Sequence, residues 1–198
     1  IGETLSAVRQ TGQEERTLVI FFSDNGGPPA TVNGADNTPL RGAKGSLYEG
    51  GIRVPFLMTW PGRLAAGATD NRPVSAVDVF ATTLGAAGVA MPADRRYDSV
   101  DLLPFLTGEK AGAPHERLYW RSGGQSALRD GKWKLVRKAG GQGELYDLDR
   151  DKGEATDLAG THPAIAARLS ATLAAWNKEL IEPVFPGDTG RNKSRPIE

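Results

Sequence analysis

Hydrophobic positions in the first part of the chain fall at helical spacing and then in an unbroken run. Ile1, Leu5 and Val8 recur at helical spacing before Gly12, which predicts that the chain opens with a helix. Residues 18–22 form an apolar run of β-branched and aromatic side chains, typical of a strand buried on both faces of a parallel sheet. A helix that leads into a central strand favours an α/β fold.

The same pattern predicts further elements up to residue 108. A second strand is expected over residues 54–60, and a short helix over residues 101–106. Ser75 and Asp78 have capping-box spacing and predict the start of another helix. Its apolar stripe, which we expect to be buried, consists of Val77, Phe80, Ala81, Leu84 and Ala87.

After residue 108 the segments become shorter and alternate between apolar and polar positions. Strands are predicted over residues 118–121, 127–129, 133–137 and 144–148. The dipeptide Asp130-Gly131 is a strong hairpin signal, so we expect a small antiparallel sheet. The aromatic side chains predicted on this sheet, which we expect to pack in the core, are Tyr119, Trp120, Trp133 and Tyr146.

A final helix is predicted between Thr161, as its cap, and the polar tail that begins at Pro183. The side chains expected to form its buried face are Ile165, Leu169, Leu173, Trp176 and Leu180. We expect the tail to be loose.

A long segment over residues 26–53 holds seven glycines and has no sustained periodicity, which is typical of a functional loop. Directly before it, Asp24 and Asn25 follow the predicted strand, where α/β sheets bind ligands. Their carboxylate and amide oxygens are ligands that suit Ca²⁺ or Mg²⁺. The alternative is that the two residues only begin a turn.

Three cations, Arg41, Lys44 and Arg53, lie among the glycines of this loop. Lysine and arginine provide the fixed positive charge that binds a tetrahedral oxyanion. A solvated loop in which these cations pair with Glu49 or with water is the alternative interpretation.

Composition excludes several classes of function. Lys plus Arg and Asp plus Glu are both 24, so the net charge does not favour binding to nucleic acid or to an anionic membrane. No apolar stretch approaches the length of a membrane-spanning helix, which is about 20 residues. The chain has no cysteine and hence no thiolate metal site and no cysteine nucleophile.

The Asp24-Asn25-Gly26-Gly27 element and the later run from Arg41 to Pro55 together resemble the sulfatase family of the alkaline phosphatase superfamily. The resemblance implies an α/β fold: the C-terminal part of a mixed sheet with flanking helices, then a small antiparallel sheet packed with a C-terminal helix. The implied domains are residues 1–110, from the catalytic domain, and residues 111–198, a small α+β subdomain. The matching stretches are residues 17–27, 39–62, 74–89, 102–108, 127–136 and 144–158.

The resemblance also implies roles for individual residues. Asp24 and Asn25 become metal ligands, for Ca²⁺ or alternatively Mg²⁺, and Lys44 becomes a catalytic contact of the sulfate and the leaving group. Arg41 is expected to contact the substrate or support the loop, and Arg53 to form a structural ion pair.

The family's nucleophile is a formylglycine made from Cys or Ser in a Cys/Ser-x-Pro/Ala-x-Arg motif, and no such motif occurs in this chain. We therefore expect it, with the remaining ligands and catalytic histidines, in an N-terminal half upstream of Ile1, and we expect this chain alone to be inactive. His115 and His162 are expected to be surface residues.

The implied parent is a sulfuric ester hydrolase that acts on a small-molecule or carbohydrate sulfate ester and is periplasmic or secreted. A phosphonate or phosphate ester hydrolase of the same superfamily is one alternative. A non-catalytic product, either a truncated pseudoenzyme or a binding module, is the other.

Overall fold

The computed structural model describes residues 1–182, which form two compact units. The first unit contains Ile1–Asp24 and Pro55–Glu116, and the second contains Asn25–Val54 and residues 117–182. The division of the chain into domains of residues 1–110 and 111–198 stays a prediction. The polar tail that was expected to be loose lies outside the described residues, and no described helix is both long enough and apolar enough to cross a membrane.

Both units contain helices and strands. In chain order they are α1 (Gly2–Gln10), β1 (Val19–Phe22), α2 (Ala30–Asn33), α3 (Glu49–Ile52), β2 (Phe56–Thr59), α4 (Asp78–Ala86), α5 (Leu103–Leu106), β3 (Arg117–Ser122), β4 (Gln125–Asp130), β5 (Trp133–Arg137), β6 (Gly143–Asp147) and α6 (Pro163–Glu179). The elements predicted from the sequence are all present, and α2 and α3 are single turns inside the predicted loop.

In the first unit, the described strand pair is antiparallel. Among the described residues β1 pairs with β2 alone, and the pair is antiparallel, with Val19 opposite Thr59. Phe21 and Leu57 face each other across it and are 48% and 56% exposed. No parallel neighbour of β1 and no second covered face occur among the described residues, so the expectation of a parallel sheet with two buried faces stays a prediction. An apolar run by itself carries no information about the direction of the neighbouring strand.

The buried face of α4 differs from the predicted stripe. Asp78, Ala81 and Thr82 are buried, whereas Val77 and Phe80 are 52% and 42% exposed. The backbone N–H of Leu102 donates to the Thr82 hydroxyl at 3.1 Å. Polar side chains replace apolar ones on this face because their hydrogen bonds are satisfied inside the unit.

In the second unit the four strands form an antiparallel sheet in the order β3-β4-β5-β6, as predicted. Asp130 pairs with Trp133 across the predicted hairpin, where Gly131 adopts φ +59°. A left-handed backbone is easiest for glycine, so the turn residue and the register agree.

One face of this sheet packs against α6. Leu128, Leu135 and Leu145 from the strands meet Leu169 and Leu173 from the helix, and all five are fully buried. Four of the five residues predicted for the helical face, Ile165, Leu169, Leu173 and Trp176, are confirmed, whereas Leu180 lies just after the helix and outside this cluster. His162, and not Thr161, immediately precedes the helix, without a side-chain cap.

The aromatic side chains of the sheet pack as predicted. Tyr119 stacks on Trp176 with ring centroids 4.9 Å apart, and Trp133 lies in the same α6-side cluster. Tyr146 is buried on the opposite face, where Trp120 packs against the cluster that contains Tyr48. The second face of the sheet is therefore covered by the glycine-rich segment of residues 25–54, to which Tyr48 belongs.

Candidate functional site

The two predicted metal ligands are consecutive residues that directly follow the β1–β2 pairing. The backbone N–H of Ser23 donates to the carbonyl of Pro55 at 3.3 Å, which extends that pairing up to Asp24. Asp24 is exposed and Asn25 is partly buried. Their oxygens suit a hard cation, but Ca²⁺ takes about six to eight oxygen ligands. Within residues 1–182 no cluster of three or more His, Asp or Glu is arranged to hold a metal.

The segment that directly follows Asn25 is hydrogen-bonded to the glycine-rich loop. The N–H of Gly26 donates to the carbonyl of Gly51 at 3.0 Å. The N–H of Lys44 donates to the carbonyl of Gly27 at 2.9 Å. The backbone of Lys44 therefore lies beside the backbone two residues after Asn25.

Asn37 reinforces this junction from inside the loop. Its side-chain amide donates to the carbonyl of Gly27 at 2.9 Å, and its Oδ1 accepts the N–H of Gly27 at 2.8 Å. The paired donor and acceptor of one amide fix the orientation of the Gly27 peptide, which in turn accepts the Lys44 amide.

Several glycines of the loop are required for close backbone approach. A Cβ atom on Gly26 would lie 1.8 Å from the carbonyl oxygen of Gly50. On Gly50 it would lie 2.6 Å from the carbonyl oxygen of Arg41, and on Gly51 it would lie 2.2 Å from that of Ser46. The glycine pattern thus encodes packing of backbone on backbone.

Lys44 lies between two residues that close the loop at its base. The N–H of Gly50 donates to the carbonyl of Arg41 at 2.7 Å, so residues 41–50 form a closed loop. Inside it, the N–H of Ser46 donates to the carbonyl of Ala43 at 2.9 Å. Lys44 is exposed on this loop.

The guanidinium of Arg41 contacts the second unit's sheet. One of its N–H groups lies 2.8 Å from the Tyr146 hydroxyl and 3.0 Å from the carbonyl oxygen of Glu154. The same guanidinium stacks over the ring of Tyr48 at 4.0 Å from the centroid. Support of the loop by Arg41 agrees with these contacts, and contact of Arg41 with a substrate stays a prediction.

Three side-chain donors form hydrogen bonds to the carboxylate of Glu144. It accepts hydrogen bonds from the hydroxyls of Tyr48 and Tyr146, the latter at 2.7 Å, and from the Lys138 ammonium at 2.9 Å. Burial by itself would raise the pKa of Glu144, but the hydrogen bonds outweigh it and lower the pKa from 4.5 to about 2.

A cluster of buried charges lies on the same face of the sheet. The ammonium of Lys134, on β5, has no exposed surface and lies 2.8 Å from Glu49 Oε1 and 2.7 Å from Glu154 Oε1. The other oxygen of Glu154 accepts the backbone N–H of Glu49 at 2.6 Å. We call Lys134, Glu49 and Glu154 the buried ion cluster.

Arg53 completes this cluster from its rim. Its guanidinium lies 3.1 Å from the second carboxylate oxygen of Glu49. The prediction that Arg53 forms a structural ion pair is therefore confirmed. Its partner is Glu49, the residue with which the cations of the loop pair in the alternative interpretation of the sequence.

The two histidines differ from each other. His162 is exposed and meets the ring of Trp133 edge-on, with centroids 5.2 Å apart. The prediction that His115 is a surface residue was wrong, because its side chain is only 11% exposed and is bonded to the buried carboxylate of Asp78. A histidine between a proline and a strand gives no sequence signal of that partner.

Sequence reasoning did not single out Lys134, Glu144 or Glu154. A signal for Lys134 existed, since strand alternation places it on the same face as Val136, which is fully buried. No comparable signal exists for the two glutamates, whose partners are distant in sequence.

Comparison with known proteins gives one family match and several similar proteins. The sulfatase family model matches residues 1–89. The chain is 40% identical to the steryl-sulfatase of Mus musculus over 125 residues, which is 60% of this chain and 20% of that protein. It is 36% identical to the N-acetylgalactosamine-6-sulfatase of Mus musculus over 137 residues, 68% of this chain and 26% of that protein.

Solved structures show similarity over nearly the whole chain. The structure of Ps i-CgsB in complex with k-i-k-neocarrahexaose has a TM-score of 0.84 and 29% identity, over 96% of this chain and 42% of that one. The phosphonate monoester hydrolase of Agrobacterium radiobacter has a TM-score of 0.69 and 25% identity, over 90% and 38%. The chain thus spans 20% and 26% of the two curated relatives and less than half of the two solved chains.

Proposed function

The chain belongs to the sulfatase family of the alkaline phosphatase superfamily, matched over residues 1–89, and we propose that the protein of which it is part hydrolyses sulfate esters. The observation that carries the proposal is the hydrogen bond from the Lys44 amide to the carbonyl of Gly27. It ties the predicted sulfate contact to the segment that follows the predicted metal ligands, Asp24 and Asn25.

The residues of this chain supply two parts of the reaction. Asp24 and Asn25 would hold a hard divalent cation, Ca²⁺ or Mg²⁺, which polarises the sulfate oxygens when bound. The Lys44 ammonium stabilises the negative charge that develops on the leaving oxygen, because it is held by a closed loop and needs little reorganisation. The formylglycine nucleophile belongs to the part of the protein that we place upstream of Ile1.

Substitution of Lys44 tests this role in the full-length protein. We expect Lys44→Ala to lower kcat for an aryl sulfate by about 100-fold or more, the effect of removing one preorganised charge-stabilising group. Lys152→Ala, at an exposed lysine of the same unit, is the matched control and should keep full activity. A Lys44→Ala protein that retains activity within a few-fold of the unmodified enzyme would refute the role.

Carbohydrate sulfates are the substrate class that we propose to test first. The similar structure of Ps i-CgsB was determined with k-i-k-neocarrahexaose, and that similarity extends over 96% of this chain. A panel of sulfated oligosaccharides should be compared with a steroid sulfate and an aryl sulfate by kcat/KM. The class with the highest kcat/KM identifies the substrate, and a steroid sulfate in first place would contradict the proposal.

A phosphonate ester hydrolase is the second candidate, favoured by the similarity to the phosphonate monoester hydrolase. Asn25 argues for one hard cation, because an amide oxygen is a poor zinc ligand compared with imidazole. Matched aryl sulfate and aryl phosphonate esters decide between the two. A kcat/KM for the phosphonate above that for the sulfate would make the second candidate the correct one.

A further inference from the structure

Glu154 touches both ends of the closed loop that carries Lys44. Its carbonyl oxygen accepts a hydrogen bond from the Arg41 guanidinium at 3.0 Å, at the beginning of the loop. Its carboxylate accepts the backbone N–H of Glu49 at 2.6 Å, next to the end of the loop. One residue of the segment after β6 therefore holds the loop at two points, with Lys44 between them.

The backbone of Glu154 is held in a conformation that glutamate rarely adopts. Its φ is +53°, and it is the one non-glycine residue in the described part of the chain with a positive φ. Such a backbone is strained and persists where surrounding contacts over-determine it. The contacts of Glu154 that could do so are those to Arg41, Glu49 and Lys134.

Lys134 fixes the carboxylate of Glu154 to the sheet. Both side chains are fully buried, and Lys134 also holds Glu49, so the loop end and the segment after β6 share one cation of β5. A buried ion pair stabilises a fold no better than apolar side chains of similar volume. In some proteins such a pair selects a single arrangement of its members, which here would be the position of Glu49 relative to β5.

We propose that Glu154, held by Lys134, is a positioning residue that fixes the loop of residues 41–50 and thereby the Lys44 ammonium. The proposal rests on the proposed role of Lys44 in sulfate ester hydrolysis. Neither Glu154 nor Lys134 contacts the substrate, and both act through the loop.

A paired substitution separates positioning from stability. In the full-length protein, Lys134→Met together with Glu154→Gln removes one buried cation and one buried anion with little change in volume. Glu49 keeps its ion pair with Arg53, and a glutamine oxygen can still accept the Glu49 N–H. We therefore expect the thermal midpoint to stay close to that of the unmodified protein, since neutral replacement of a buried pair costs little.

Positioning predicts two effects in that stable protein. The amide hydrogens of Gly50, which closes the loop on Arg41, and of Lys44, which bonds the loop to Gly27, should exchange about tenfold faster, because the loop opens locally more often. The kcat should fall about tenfold while KM stays within about twofold, since the lost interaction acts in the transition state. Unchanged exchange and unchanged kcat would overturn the proposal.

Two further proteins keep the test decisive. Lys132 lies two residues before Lys134 and forms a 2.8 Å ion pair with Asp147. Lys132→Met removes that pair and should leave loop exchange and kcat unchanged. Glu154→Gln alone retains the Lys134–Glu49 pair and serves if the double variant does not fold. It should make the loop amides exchange about threefold faster, less than in the double variant, because one of the two ion pairs of Lys134 remains. Unchanged exchange of these amides would overturn the proposal.

Failure of the proposed function is distinguishable from failure of this inference. An unmodified full-length protein without activity on any sulfate ester would refute the function. The exchange rates of the Lys44 and Gly50 amides would still show whether Glu154 fixes the loop.

Discussion

The imidazole Nε2 of His115 lies 2.9 and 2.8 Å from the two carboxylate oxygens of Asp78. Asp78 has no exposed surface and also accepts the backbone N–H groups of Ser75, at 2.7 Å, and Val100, at 3.0 Å. One carboxylate at the start of α4 therefore joins three other segments of the first unit. A buried carboxylate is tolerated there because each partner offsets part of its desolvation.

Removal of His115 should destabilise the first unit. His115→Ala leaves the Asp78 carboxylate buried with its two backbone donors only, and we expect a loss of about 1–3 kcal/mol in the free energy of unfolding. Urea unfolding of the full-length protein, monitored by fluorescence, measures the effect.

His162→Ala is the matched control for this prediction. His162 is exposed, so its removal should change the free energy of unfolding by less than about 0.5 kcal/mol. Equal losses in the free energy of unfolding of the two variants would mean that the contact between His115 and Asp78 does not stabilise the first unit.

Glu144 should make the stability of the second unit depend on pH. Its pKa falls from 4.5 to about 2 on folding, because its hydrogen bonds to Tyr48, Tyr146 and Lys138 outweigh the opposing effect of burial. A lowered folded-state pKa stabilises the protein above the unfolded value, and this contribution is lost as the pH falls from 4.5 towards 2. The contribution is about 3 kcal/mol at most.

Glu144→Gln tests the pH dependence. The variant should lose stability at neutral pH, and its free energy of unfolding should decline less steeply than that of the unmodified protein over the same acidic range. Chemical denaturation at several pH values between neutrality and the acidic limit measures both slopes. Parallel slopes for the two proteins would show that Glu144 does not titrate as described.

The sequence predicted elements whose determinants are local. Asp130-Gly131 specifies a tight turn between two alternating strands, and the register of β4 and β5 follows from it. The buried face of α6 was equally readable, because Leu169 and Leu173 recur at helical spacing and meet the sheet.

Non-local pairings account for what the sequence did not predict. The partner of β1 depends on which strand returns to it, and the apolar run over residues 18–22 is compatible with either direction. Lys134 and Glu49 are separated by 85 positions, and nothing near either residue indicates the other. Burial of a lysine becomes favourable only when a distant segment brings its carboxylates.

The candidate site shows the same division. The motif around Asp24, Asn25 and Lys44 was recognised from local spacing, and the roles of these residues stay predictions. Glu154, which contacts the loop of residues 41–50, lies more than a hundred residues away in the sequence. No spacing rule connects Glu154 to the loop.

Removal of metal tests the roles of Asp24 and Asn25. After treatment of the full-length protein with a chelator, added Ca²⁺ should raise the thermal midpoint, since a ligand at about 100 times its Kd stabilises by about 2.7 kcal/mol. Asp24→Ala should weaken Ca²⁺ binding at least about tenfold, because loss of even an outer partner of a metal ligand has that effect.

Asp98→Ala provides the comparison for this titration, because Asp98 is an exposed carboxylate of the same unit. Its response to Ca²⁺ should equal that of the unmodified protein. If Asp24→Ala responds to Ca²⁺ as Asp98→Ala does, Asp24 is not a ligand and the turn interpretation of Asp24-Asn25 is correct.

Gly26 should tolerate no side chain. A Cβ atom at this position would lie 1.8 Å from the carbonyl oxygen of Gly50, and neither backbone can move without breaking the hydrogen bond between Gly26 and Gly51. We expect Gly26→Ala to cost about 3 kcal/mol or more in the free energy of unfolding. Gly160→Ala, where a Cβ would meet nothing within 4 Å, should change it by less than about 1 kcal/mol. Urea unfolding of both full-length variants measures the difference, and equal stability would mean that the close approach of Gly26 to Gly50 is not required.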